Sequence, residues 1–268
     1  MVESVAPSDS RPSPVVPWTA ALVVTGLCWA ITLREAQRMA GGMRMPGDWM
    51  MSMAWMAMPG QSSMDAAVMF LAMWEAMMIA MMLPSAMPLV LLYQRLGISR
   101  RALGRAAPSQ VVLLAGYFLV WLAFGVVAFV AGFGLSALAM RQEGISRAIP
   151  AATGVALIVA GVYQVTPLKR ACLRHCRSPL SFFTHGWREG WYATFRLGVH
   201  HGAYCAACCW ALMLIQLAIG VMNLPLMLAI ALVIGIEKSW RYGERFAAAA
   251  GVAAIVAGVV ITARATSG

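Results

Sequence analysis

The sequence predicts an all-α fold, a polytopic transmembrane bundle of about seven helices. Three observations predict it. Apolar residues fill 61% of the 268 positions and charged residues only 11%, whereas a soluble domain carries about a quarter charged residues. Several apolar runs exceed the roughly 18 to 20 residues that a helix needs to cross a hydrocarbon core. Those runs also lack the polar stripe at helical period that marks the surface helices of soluble proteins.

Seven spans follow in order: Val15 to Leu33, Met64 to Leu96, Gln110 to Ala139, Ala148 to Val165, Leu197 to Gly220, Leu224 to Trp240 and Phe246 to Ala263. Residues 15–263 then form one helical domain between a Ser- and Pro-rich tail at 1–14, expected to be disordered and cytoplasmic, and a short tail at 264–268. The first span is longer than the apolar region of a signal peptide and acts as an uncleaved anchor. Pro84 and Pro88 are expected to kink the far end of the second. The third, fourth and seventh spans are rich in Gly and Ala, Gly251 and Gly258 among them, which suits close packing against a partner. Only Val221-Met222-Asn223 separates the fifth span from the sixth, so the two form a tight hairpin, and the sixth ends on Glu237-Lys238.

Charge sets the orientation. The even loops carry thirteen Lys and Arg, from Arg95 through Lys169 and Arg196 to Arg245, and the odd loops carry five, Arg34, Arg38, Arg44, Arg141 and Arg147. The positive-inside rule therefore expects the N-terminus in the cytoplasm and the C-terminus outside. Membrane lipid is the first partner, and the net charge of +10 is a topology signal. Nucleic acid is excluded as a partner because no polar domain carries a basic patch. A phosphate-cradling loop, a nucleophile elbow and a zincin motif are all missing, and haem b would require histidines on two helices. No catalytic residue and no organic cofactor are expected.

The chemistry concentrates in His201-Gly202-Ala203-Tyr204-Cys205-Ala206-Ala207-Cys208-Cys209-Trp210, inside the fifth span. An intramembrane polar cluster is read first as a functional site. His201 and Cys205 are four apart, and Cys208 and Cys209 lie three and four beyond Cys205, so His201, Cys205 and one later cysteine share a helix face. His200 points about 100° away. Three ligands on one stripe do not complete a tetrahedral zinc shell, but they suit a two- or three-coordinate Cu(I) site or a partial site completed by another helix. The competing reading treats the cysteines as small buried hydrophobes.

Methionine is the second signal. Sixteen of 21 lie between Met39 and Met87. Thioether sulfur is a soft ligand that suits Cu(I), and the Met39 to Met58 loop is expected on the outer side, where it can capture copper. Packing is the alternative role, since methionine adapts to irregular cores. In the second span Glu75, Met78 and Met82 share one face and Met69, Met73 and Met77 the opposite one. A mid-helix carboxylate belongs inside the bundle, which makes Glu75, Met78 and Met82 the candidate ligands. A second cluster, Cys172, His175 and Cys176, lies in the fourth loop among Lys169, Arg170, Arg174 and Arg177. Those cations are expected to lower the thiol pKa, and the cytoplasmic side would keep the thiols reduced, as a transfer or docking site needs.

Four ordered blocks between residues 64 and 242 carry a resemblance. They are Met77 to Pro88, Pro167 to Cys172 with His175-Cys176-Arg177-Ser178-Pro179, His201 to Trp210, and Val221-Met222-Asn223 with Glu237-Lys238. In these the chain resembles a bacterial family of metal-binding integral membrane proteins. The resemblance implies a multi-pass protein of the bacterial cytoplasmic (inner) membrane and a metal role for the matching residues, Glu237 included. The function expected is binding of a soft metal ion, most readily a copper ion, for metal homeostasis or delivery to a metal-acceptor protein, with a metal-donor protein as the other partner. Two other functions compete. Cys205-Ala206-Ala207-Cys208 would suit a membrane thiol-disulfide oxidoreductase, and the small-residue helices would suit a non-catalytic scaffold or assembly subunit.

Overall fold

The structure, a computed structural model, describes residues 15–39, 41–56, 60–102, 110–177 and 190–267. The tail at 1–14 and Met58 lie outside the described residues. The fold is an all-α bundle with one small hairpin. Helix α1 (Val15–Arg38) leads into strands β1 (Gly42–Met45) and β2 (Trp49–Ser52), followed by a single 3-10 turn at Met53–Trp55. Helices α2 (Ser63–Ala102), α3 (Gln110–Arg141), α4 (Glu143–Val165), α5 (Pro167–Arg177), α6 (Trp191–Ile219), α7 (Leu224–Ser239) and α8 (Gly243–Ser267) complete it.

Six of these helices, α1, α2, α3, α4, α6 and α8, are long and apolar enough to cross a membrane. The expected sixth span is α7, whose 16 residues cover about 24 Å and fall short of the roughly 30 Å hydrocarbon thickness. The first part of the segment expected as the fourth loop is instead helix α5, and its residues 178–189, with Ser178, Pro179 and Arg188, lie outside the described residues. The start of α5 was legible in Thr166-Pro167: the Thr166 hydroxyl accepts the Lys169 N–H at 3.2 Å, and proline suits the first helical position. At the C-terminus α8 continues through Ser267, past the expected boundary at Ala263.

Local chemistry sets the other ends. A capping box starts α2, with the Ser62 hydroxyl accepting from the Asp65 N–H at 3.1 Å and the Asp65 carboxylate from the Ser62 N–H at 3.2 Å. Helix α2 continues through Pro84 and Pro88. Neither proline has an N–H to give to the carbonyl one turn back, so this stretch carries free acceptors on one side. Between α6 and α7 the chain turns at Gly220, φ +151°, with Gln216 Nε2 donating to the Val221 carbonyl at 3.1 Å. Asn223 then caps α7 by accepting from the Leu226 N–H at 3.1 Å.

Small residues bring the helices together. Gly161 of α4 lies against Gly251 of α8, and Gly154 against Gly258 and Thr262, so these two helices run antiparallel in backbone contact. The glycines that suggested an external partner are thus used within the chain. Helices α3 and α6 also come into backbone contact, here in parallel, through Gly116, Gly198 and Gly202. The main core lies among α2, α3, α6 and α7, with Trp74 and Trp121 at its centre. Trp74 Nε1 donates to the Trp121 carbonyl at 2.9 Å. Outward faces of α1, α3 and α8 expose Leu22, Leu27, Val127, Val130, Val252 and Val256, the surface that lipid would cover.

The β-hairpin turns at Gly47 and Asp48, both at positive φ, and docks on the start of α4. Trp49 Nε1 donates to the Ser146 carbonyl at 3.0 Å, and the Ser146 hydroxyl donates to the Pro46 carbonyl at 2.8 Å. Because α4 and α8 are antiparallel, the C-terminus lies at this same end. The α6–α7 turn lies here too, facing the hairpin across a shared cavity, while α5 and the end of α7 lie at the opposite end.

The glycine seam makes a direct test. A side chain at Gly161 would collide with the Gly251 carbonyl and Ile255, whereas one at Gly134 meets open space. We expect Gly161→Leu to lower stability by at least about 1–3 kcal/mol and Gly134→Ala to be silent. Thermal unfolding in detergent checks both.

Candidate metal centre

The site forms where α5 and α7 close on the middle of α6. Helical spacing puts His201, Cys205, Cys208 and Cys209 on the inward side of α6, and all four are buried. Helix α5 adds Cys176, also buried, which belongs to the same core cluster as Cys205, Cys208 and Cys209 and lines one cavity with His201 and Lys238. The two cysteine clusters, 29 residues apart in sequence, are therefore one. Cys208 Sγ lies 3.3 Å from Cys209 Sγ and donates to the Cys205 carbonyl at 3.2 Å. All six cysteines are free.

Two cations and a phenol surround the thiols. Lys238 Nζ donates to Cys205 Sγ at 2.9 Å and to Ser85 Oγ at 3.1 Å. Tyr117 Oη lies 2.9 Å from Cys205 Sγ. Lys169, fully buried, donates to the Cys208 carbonyl and pairs with Glu237 Oε2 at 2.7 Å. The other carboxylate oxygen, Glu237 Oε1, accepts from Gln164 Nε2 at 3.0 Å. Burial works against a charged Lys169, but Cys209, Glu237 and Cys208 together outweigh it and hold the ammonium above its usual range. Basic neighbours were expected to lower the loop thiols. Cys176 is instead pushed up to about 12, chiefly by the neighbouring Cys205 and by burial, which outweigh the lowering effect of Lys238.

The remaining predicted ligands separate. Met78 and Met82 are fully buried in the core cluster that contains the four thiols. Met69 is exposed as expected, but Met73 and Met77, expected on the same outer face, are buried in that cluster too. The inward surface of α2 is wider than one stripe because α3, α6 and α7 all contribute to the core around it. Glu75 is half-buried, and its Oε1 has no hydrogen-bond partner among the described residues. Cys172 packs at the margin of the cluster, four residues and one turn from Cys176. His175 stacks on Tyr204 at 4.2 Å, and His200 meets the same ring edge-on at 5.1 Å. Glu237, expected as a ligand, has both oxygens engaged by Lys169 and Gln164. Lys169, Lys238, Tyr117 and Ser85 were not singled out for this site. The two lysines had been counted as loop charges, although the adjacency Glu237-Lys238 at a helix end was visible.

A cavity of about 420 Å³ opens onto the site, lined by Trp18, Pro84, Ser85, Cys176, His201 and Lys238 among others. It lies on the proline-bearing stretch of α2. Among the described residues no three His, Cys, Asp or Glu side chains converge as a ready ligand shell. The donor set is therefore unlike a tetrahedral zinc site. Closely spaced thiols with thioethers in the same core suit a soft ion of low coordination number, as Cu(I) is.

The Lys169–Glu237 pair is 0% and 1% exposed, so removing one partner strands a buried charge. We expect Lys169→Met to destabilise the bundle by about 3–5 kcal/mol and the double variant Lys169→Met/Glu237→Leu to recover most of the loss. A double-mutant cycle by thermal unfolding reads this, and additive effects would show that the pair is not coupled.

Comparison with known proteins bears on the same region. No curated protein and no solved structure is detectably similar to the chain. A family model described as PpoB2, copper chaperone, matches residues 71–261. That range contains the four motif blocks, the thiol cluster and both buried lysines, and it leaves out the β-hairpin. The match covers most of the chain, which therefore belongs to the PpoB2 copper chaperone family.

Proposed function

We propose that this chain is a multi-pass membrane copper chaperone that holds Cu(I) on the thiols of Cys176, Cys205, Cys208 and Cys209. It passes the ion to an acceptor protein at the end where the cavity opens. The observation that carries this reading is the placement of Cys176, on a separate helix, in one buried cluster with the cysteines of α6 and on the lining of a cavity beside them. Membership of a copper chaperone family supports the metal.

The chemistry follows from the residues. Cu(I) requires thiolates, so binding releases thiol protons. Two thiolates around one Cu(I) leave a negative charge in a low-dielectric site, and Lys238, already on Cys205, compensates it. His201 lines the cavity beside Cys176 and serves as an exchange ligand. Cys172 and His175, outside the buried cluster, are the residues that an acceptor meets first. Copper is cargo here, and the role is non-catalytic.

Replacing Cys205 and Cys208 together with serine is expected to remove most bound copper from the detergent-purified protein without unfolding it. Metal content by mass spectrometry, with circular dichroism alongside, checks this, and unchanged stoichiometry would overturn the assignment. The orientation is tested separately. Gly144 is exposed at the hairpin end with open space around it. Gly144→Cys is expected to react with a membrane-impermeant maleimide in intact cells, and labelling only after lysis would reverse the topology.

A further inference from the structure

We propose that buried methionines form a thioether ladder carrying Cu(I) from a cavity at the hairpin end of the bundle to the thiol cluster. The ladder rests on the copper reading above and adds a route to it. The cavity, about 620 Å³, lies between the hairpin and the α6–α7 turn and is lined in part by Met39, Met50, Met51 and Met222. Four methionines from three separate segments thus face one space.

Below it the sulfur continues. Met39 and Met222 pack against the core cluster that contains the four thiols. Within that cluster Met73, Met77 and Met81 follow at four-residue intervals on α2, and Met78 and Met82 repeat the interval beside them. Each interval advances about 6 Å along the helix. Helix α2 runs from the hairpin end toward Ser85, which Lys238 joins to Cys205, so its methionines descend to the level of the thiols. Helices α6 and α7 contribute Met213 and Met227, both fully buried in the same cluster.

Packing alone does not account for this placement. Leucine fills a similar volume with better-defined rotamers. Only four methionines lie beyond Met87, at 140, 213, 222 and 227, and three of them join this column. What the column shares is a neutral soft donor at each level, which holds Cu(I) without needing to lose a proton. At each step one copper–thioether bond breaks as the next forms, and the ion stays Cu(I). At the end a copper–thioether bond breaks, a copper–thiolate bond forms, and the thiol proton leaves to water in the 420 Å³ cavity.

Ag(I), a monovalent soft ion that avoids redox chemistry, makes the test. The full chain with a C-terminal tag is reconstituted in vesicles, and those captured through the tag have the hairpin end outward. Ag(I) is added outside, and protection of thiols from N-ethylmaleimide is followed over time. Met77→Leu/Met78→Leu, a volume-conserving change, is expected to slow protection at least tenfold with the same final level. In detergent, where the other cavity is open to solvent, the variant is expected to match wild type. If it is slowed equally there, Met73→Leu/Met227→Leu, which changes only methionines about three helical turns from Ser85 and Lys238, decides by the same criterion. Equal rates in vesicles with full protection would overturn the ladder alone. Wild-type thiols that stay reactive would overturn the copper reading and the ladder with it.

Discussion

The buried ion pair between Lys169 and Glu237 holds the site together. It joins α5 to α7, reaches α4 through Gln164, and touches α6 through the Cys208 carbonyl. Each of those links is short-range and directional, so four helices are fixed in register at one point. Cys176 lies seven residues, two turns, beyond Lys169, and Lys238 follows Glu237 directly. Placing the pair therefore places a thiol in the cluster of α6 cysteines and a cation on Cys205. An uncompensated charge at this depth would cost several kcal/mol, which is why the arrangement is specific.

The thiol cluster has an unusual electrostatic setting. Apolar burial alone keeps cysteines protonated and inert. Here two ammonium groups stand beside four thiols, one on a sulfur and one on the carbonyl of a neighbouring cysteine. Negative charge gathered on these thiols would be met by cations already in place. Glu237 balances Lys169, leaving Lys238 as the cation turned to the thiols.

Much of the fold was legible in the sequence because bilayer-length apolar runs are a strong signal. The shared buried face of His201, Cys205, Cys208 and Cys209 on α6 was equally legible, since i, i+3 and i+4 spacing fixes a helix face. What the sequence did not reveal has specific causes. Helix α5 was hidden by its charges, which suggested a loop, although Thr166-Pro167 marks a helix start. Its merging with α6 depends on a contact between distant residues, Cys176 and Cys205, which no local pattern encodes. The inward placement of Met73 and Met77 was missed because a single inward stripe was assumed for a helix that has neighbours on several sides. The ion pair of Glu237 was hidden for a similar reason: its partner, Lys169, is 68 residues away.

The shortness of α7 has a consequence for access. A helix of 16 residues spans about 24 Å against a hydrocarbon layer of about 30 Å. Glu237 and Lys238, at its far end, therefore stand about 6 Å short of where a bilayer-length helix would finish. In a bilayer, the sulfurs beside Lys238 would thus be reached from water by displacing fewer acyl chains than beside a full-length helix.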